Sequence, residues 1–284
     1  MAGICPKTSV YVASRADRGH LCALLDLSSV CPWHFSVTES RLCSRPAPDG
    51  KDASMSRHLQ NHLLAGLDRA TFAQIEPFLT TAHLSQGDVI SETHATVQKM
   101  YFPHGGIISC VVELIGGGAI ETGMIGNDGQ FGAAAALDHK VSLNLVVMQI
   151  AGDVSVIEAD RVRDLAQQHP SFRARLMAYE QFFVSQVQQT CACNAVHKVE
   201  PRTCKWILRM QKLVGDDLLL TQEFLAQMMG VRRTSVTQVA ANMQREGMIT
   251  YSRGRIHIND LDKIRAAACE CDSAVNSHYA RIIE

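Results

Sequence analysis

The sequence predicts an α+β chain: a small antiparallel β-barrel or sandwich, then one long helix, then a helical domain that ends in a β-hairpin. Three observations predict it. Between about Leu84 and Ala159, short β-rich runs alternate with glycine turns. From Pro170 a single apolar stripe recurs at helical spacing. Beyond Thr221, two short apolar clusters flank Gly230 and lead into a second alternating run.

Composition sets the limits. The chain has 284 residues, 46% hydrophobic and 19% charged, enough for two domains with their own cores. Its net charge is −1, so the molecule as a whole is not a basic nucleic-acid binder, and any such function must come from local charge. No run of apolar residues is long enough for a membrane span, and "LCALLDL" lacks the core and cleavage site of a signal peptide. The ten cysteines are therefore expected as reduced thiols, in the cytoplasm.

Residues 1–54 carry Cys5, Cys22, Cys31, Cys43 and the loop-forming run "SRPAPDGKDAS", without sustained periodicity. They are expected to be a poorly ordered extension. Met55 opens the helical pattern "SRHLQNHLLAGL" and is an alternative start for the native chain, a question its intact mass settles. The barrel follows through "KMYFPHGGIISCVVEL", "IGGGAIETGMIGNDGQFG" and "LNLVVMQIAGDVSVIEA", giving a first domain over 55–169. Pro103 and Gly105-Gly106 punctuate it.

Pro170 suits a helix first turn. Phe172, Leu176, Tyr179, Phe183, Val187 and Thr190 then form a stripe along one helix, assigned 170–200. Such a stripe needs a partner surface. Its own barrel would serve; a matching helix of a second subunit is the favoured expectation, through Leu176, Tyr179, Phe183 and Val187. "RTCKWILRMQKLV" predicts a further helix with Cys204, Ile207, Leu208 and Leu213 inward. "LLL" suits a short strand, and "LDKIRAAACECDSAVNSHYARII" a helical tail over 261–284.

Within 201–260, Thr221 is a plausible N-cap and Glu223 complements the dipole of the first helix. Phe224, Leu225 and Met228 face inward, and Gly230 permits the turn. In the second helix Val236, Val239, Ala240 and Met243 form the buried stripe; Thr234, Gln238, Ala241 and Arg245 lie opposite, with Thr237 on the flank. Arg232 and Arg233 oppose the macrodipole at the start of this helix, a cost that reverses when phosphates approach. The hairpin "GMITYSRGRIHIND" carries Arg253 and Arg255 at its tip. This makes double-stranded DNA the expected partner.

In its order of parts, and through "LTQEFLAQMMGVRRTSVTQVAANMQREGMI" and "GMIGNDGQFG", the chain from about Arg57 to Asn259 resembles the Crp/Fnr family of bacterial transcription regulators. The resemblance implies a cyclic-nucleotide-binding-like β-roll, a dimerisation helix and a winged helix–turn–helix, in a homodimer that binds a two-fold symmetric DNA site. It implies RNA polymerase as a further partner and no enzymatic activity. The DNA-facing set is then Thr221, Gln222, Arg232, Arg233, Thr234, Ser235, Thr237, Gln238, Arg253 and Arg255. The family's base-reading Glu and second Arg are replaced here by Thr234 and Gln238, so a different sequence should be read, with Gln238 favouring adenine. In the sensor cassette Asn127 follows Gly126 where a ribose-binding Glu is usual. The Arg-Ser region falls near "VSLNLV", which has no arginine; Lys140 is the nearest cation. Cyclic AMP is therefore not expected; an effector pocket, if used, would involve Gly126, Asn127, Ser142 and Asn144, and the glycines otherwise shape turns.

No cofactor is expected. The wide spacings of Cys5, Cys22, Cys31, Cys43 and Cys110 disfavour an iron–sulfur cluster. Cys191 with Cys193, and Cys269 with Cys271, sit at i, i+2, which on a helix points them apart. Cys193 and His197, at i, i+4, supply half a zinc site that Cys269 or Cys271 would have to complete; packed thiols are the expectation. The alternative from another class is a cupin-like enzyme with a metal on His83, His94, His104 and Glu113, although the tight His-x-His spacing is missing. No phosphate-binding or nucleophile-elbow motif occurs.

Overall fold

A computed structural model describes residues 56–284 except 117, 139 and 140; the extension over 1–54, Met55 and Lys140 lie outside the described residues. A 3-10 turn, Arg57–Gln60, precedes α1 (His62–Ala65). The sequence pattern predicts one helix here, and Asn61 divides it. Asn61 is fully buried in extended conformation (φ −86°, ψ 127°). Its Oδ1 accepts the amides of Leu63 and Leu64, and its Nδ2 donates to the carbonyls of Pro103 and Gly129. One side chain thus caps a helix and pins it to the sheet, which a helical Asn61 would not do.

After α2 (Arg69–Ile75) come β1 (Thr80–Leu84), β2 (Val89–Ser91), β3 (Lys99–Pro103), β4 (Ile107–Glu113), β5 (Ala119–Ile125), α3 (Ala133–Leu137), β6 (Leu145–Ile150) and β7 (Gly152–Glu158). They make two antiparallel sheets, ordered β1-β7-β3 and β2-β6-β4-β5. Alternation on β7 shows why both faces are apolar: Val154 and Val156 join Ile108, Val146 and Met148 in one core, whereas Ile157 joins Met100, Phe102 and Phe72 in the other.

α4 (Ala159–Gln168) leads into α5 (Pro170–Val196), about 40 Å long at about 1.5 Å per residue. Then come α6 (Val199–Val214), β8 (Asp217–Leu219), α7 (Gln222–Met229), α8 (Arg233–Arg245), β9 (Ile249–Ser252), β10 (Arg255–Ile258), α9 (Leu261–Ala267) and α10 (Cys271–Ile282). β8, β10 and β9 form a small antiparallel sheet.

The tail is two helices, broken where Ala268 turns extended (φ −71°, ψ 153°). Cys269 and Cys271 therefore flank a helix start instead of sharing a helix, and their i, i+2 spacing does not point them apart. α10 lies along α5: the Tyr279 ring meets Phe182 edge-on at 5.0 Å, and its hydroxyl donates to the Asp128 carbonyl at 3.0 Å. Arg175 Nη1 donates to the Ile283 carbonyl at 2.7 Å. No helix among the described residues is long and apolar enough to cross a membrane.

Candidate nucleic-acid interface

The interface is built on α6. It buries Cys204, Trp206, Ile207, Met210 and Leu213, and Arg202 Nη2 donates to the Met229 carbonyl at the end of α7 at 2.7 Å. Thr221 caps α7, its Oγ1 accepting the Phe224 amide at 3.1 Å. Gly230 ends α7 in the left-handed region (φ 63°) that favours glycine. α8 buries Val236, Val239, Ala240 and Met243, as the periodicity predicts, and exposes Thr234, Thr237, Gln238 and Ala241. Leu225 and Met228 are buried; Phe224 is half-buried.

Local bonds set the posture of the helix pair. The Thr237 hydroxyl reaches Gln222 Oε1 at 2.7 Å and the Arg233 carbonyl at 3.0 Å, so Gln222 and Thr237 brace α7 against α8. Ser235 is half-buried. Arg233 Nη1 stands 3.5 Å from Glu223 Oε2, with both side chains exposed, a pair that water screens and a phosphate can displace. Arg232 occupies the N-cap (φ −68°, ψ 140°) and gives the first turn no side-chain acceptor. A Ser or Asp there would satisfy these amides; the arginine keeps charge and helix end together for an outside anion.

The hairpin tip repeats this choice. Arg253 and Gly254 have φ of 48° and 76°, the two positive values of a tight two-residue hairpin turn. Glycine meets that need freely, whereas Arg253 holds a conformation costing roughly 1–2 kcal/mol. Arg253 and Arg255 are exposed. Arg245 is turned toward Asn242 Oδ1 at 2.7 Å.

Two buried polar contacts mount this domain on the roll, and the sequence reading missed both. Glu121 of β5 is buried and accepts Ser109 Oγ (2.7 Å), Gln149 Nε2 (2.7 Å) and the Trp206 indole N–H (2.8 Å). Burial pushes its carboxyl above the usual range against the pull of these donors. Asp128 pairs with Arg209 of α6 at 2.5 and 3.1 Å, both side chains nearly inaccessible. Burial alone would raise the Asp128 carboxyl; the guanidinium outweighs it and holds it below the usual range. The available signals were a glutamate inside the apolar run "AIETGMI" and an Arg three residues after a Trp on an amphipathic helix.

The four effector residues separate. Ser142 and Asn144 line a cavity of about 340 Å³ with Val97, Cys110, Gln130 and Glu180. Gly126 and Asn127 lie elsewhere: a Cβ on Gly126 would meet Leu213 at 2.4 Å, and the Asn127 carbonyl accepts the His62 amide. The glycines shape turns here: the Gly129 amide donates to the Gly126 carbonyl at 3.0 Å, and Gly132 has φ 107°. Gly129 is needed for a second reason, because the Tyr179 ring sits where its Cβ would be, 2.0 Å from the hydroxyl oxygen. Among the described residues no Lys or Arg lines the cavity, and burial raises the Glu180 carboxyl inside it.

Along α5, Leu176 and Tyr179 are buried within the chain itself, and Phe183 and Val187 are half-buried, so the stripe read from the sequence is spent largely on the roll and α10. The outward row is Met177, Gln181, Val184, Gln188 and Cys191, with Met177 47% and Val184 53% exposed.

The cupin-like set does not assemble. His83 pairs with exposed Asp153, His104 is buried against Ser155, and Glu113 accepts Thr93, and these form no metal-ligand group among the described residues. Cys193, His197, Cys269 and Cys271 do converge.

Residues 201–267 match the family model of the Crp-like helix-turn-helix domain. Solved structures of similar fold include a Crp/Fnr-family transcriptional regulator from Eubacterium rectale, 18% identical with TM-score 0.58, covering 72% of this chain and 96% of that one. FixK2 from Bradyrhizobium japonicum is 11% identical with TM-score 0.59, covering 67% and 98%. The c-di-GMP-responsive global regulator CLP from Xanthomonas campestris is 13% identical with TM-score 0.56, covering 67% and 99%. At these identities the likeness is one of fold. No curated protein sequence matches the chain.

Proposed function

We propose that this chain, with a Crp-like helix-turn-helix domain over residues 201–267 and the fold of Crp/Fnr-family regulators, is a DNA-binding regulator of that family and acts as a homodimer on a two-fold symmetric site. The carrying observation is the outward face of α8: Thr234 and Gln238 are exposed, with uncapped Arg232 and Arg233 at one end and Arg253 held at the hairpin tip despite its backbone cost. The arginines bind phosphates and fix register, while Thr234 and Gln238 reach base edges in the major groove. Gln222 and Thr237 are positioning residues.

The row Met177, Gln181, Val184, Gln188, Cys191 steps by four and three, the repeat with which one helix lies along another. A second copy there would set two recognition helices about one DNA turn apart. The roll offers an effector a cavity that contains the Glu180 carboxyl and the Ser142 and Asn144 side chains. RNA polymerase is the partner of a regulator of this kind.

Selection of bound sites from a random DNA pool tests the reading. Expected are inverted half-sites whose sequence changes at one position per half-site with Gln238→Arg. Recovery of unsymmetric or unenriched sequences overturns the symmetric-dimer reading, and an unchanged preference removes Gln238 from the reading surface.

A further inference from the structure

The end of α5 and the break between α9 and α10 bring four soft ligands together. Cys193 lies in the last turn of α5, and His197 is the residue that caps it. Cys269 and Cys271 flank the start of α10. The four ligand atoms all lie within 4.8 Å of one another. Cys193 Sγ is 3.5 Å from Cys269 Sγ, and Cys271 Sγ is 3.6 Å from His197 Nδ1. A tetrahedral zinc ion with Zn–S bonds of about 2.3 Å needs S···S edges of about 3.8 Å, so a slight breathing of side chains admits the ion.

The surroundings fit metal binding better than packed thiols. His197 Nε2 stands 3.2 Å from Glu270 Oε1. A proton held on Nε2 by that carboxylate leaves the Nδ1 lone pair facing the sulfurs, the arrangement in which a carboxylate orients a ligating imidazole. Gln189 Nε2 donates to Cys271 Sγ at 3.1 Å, an outer hydrogen bond to a ligand atom. The three sulfurs are buried as a cluster of their own, apart from the aliphatic cores. A Cys193–Cys269 disulfide would use two of the four groups and leave Cys271 and the aimed imidazole without a role.

We infer that Cys193, His197, Cys269 and Cys271 form a tetrahedral Cys3His site for one zinc ion, with Glu270 as positioning residue. The cysteines bind as thiolates, so uptake releases their protons to solvent. The ion ties the tail helices to the joint at His197 and Lys198, where α5 hands over to α6 and the DNA-binding domain. Its role is structural: all four tetrahedral positions are filled by protein, with none left for substrate. The inference stands whether or not the protein binds DNA.

Full-length protein purified under reducing conditions without chelator is expected to carry about one zinc per chain by elemental analysis. Exchange for cobalt(II) should give the visible bands of a tetrahedral thiolate site. Cys269→Ser and Cys271→Ser should each lose the metal, and Glu270→Gln should weaken zinc affinity about 10-fold or more. A variant with Cys5, Cys22, Cys31 and Cys43 all changed to Ser should keep it. The cobalt spectrum of the unmutated chain reads the site even where a cysteine variant fails to fold. Absence of zinc together with no cobalt bands overturns the site. So does a Cys193–Cys269 disulfide in the purified protein, the absorbance of an iron–sulfur cluster, or zinc that follows the four N-terminal cysteines instead.

Discussion

Replacing Glu121 by glutamine is expected to stabilise the fold at neutral pH, and the gain should grow as pH rises. Glu121 is buried, and its carboxyl is raised above the ordinary 4.5 by burial, with Ser109, Trp206 and Gln149 pulling the other way. A carboxyl with a raised folded-state value binds a proton that the unfolded chain has already released. Stability therefore falls as pH climbs from the unfolded value toward the folded one. Each pH unit of that elevation is about 1.4 kcal/mol, which in a unit of this size is about 3–6 °C in Tm. Glutamine keeps the shape and has no charge to bury. One of its neighbours can adapt: Gln149 Oε1 is buried without a hydrogen-bond partner, and turning that amide over offers it to the new N–H. The assay is thermal unfolding of both proteins across a pH series. The curves should coincide near about pH 4, and the variant should melt progressively higher than the unmutated protein as pH rises. A variant less stable at high pH would refute the reasoning, because it would mean that Glu121 is folded as a carboxylate stabilised by its three donors.

Other outcomes follow from the same geometry. Arg209→Met strands the buried Asp128 carboxylate and should cost about 3–5 kcal/mol in denaturant unfolding, with much of that cost recovered in the double variant with Asp128→Asn. Because Arg209 holds the Asp128 carboxyl below its usual range, the stability from this pair should be lost on acidification through that lowered value. Arg253→Asn should raise stability by about 0.5–1 kcal/mol, asparagine tolerating positive φ, while DNA affinity falls. Paired Met177→Asp and Val184→Asp changes should shift sedimentation to the monomer without unfolding it, since both side chains are exposed on the single chain.

The order of the elements and the recognition helix were legible because periodicity reports burial. Val236, Val239, Ala240 and Met243 repeat at helical spacing, and the structure buries those same four. Asn61 was not legible: its effect depends on the carbonyls of Pro103 and Gly129, remote in sequence. On α5 the stripe revealed an apolar face but not its partner, and α10 takes much of it. The cysteine cluster was half visible, since Cys193 and His197 share a helix face, but the helical reading of "ACEC" hid the other half. The effector residues split because Gly126 answers to Leu213 packing and Ser142 to a cavity.

The salt dependence of operator binding tests most directly that arginines of α8 and the hairpin hold DNA by its phosphates. If Arg232, Arg233, Arg253 and Arg255 each neutralise one phosphate in both subunits, changing all four to Ala should reduce the slope of log K against log salt by about 7. Equal slopes for the two proteins on the same selected site would contradict the account.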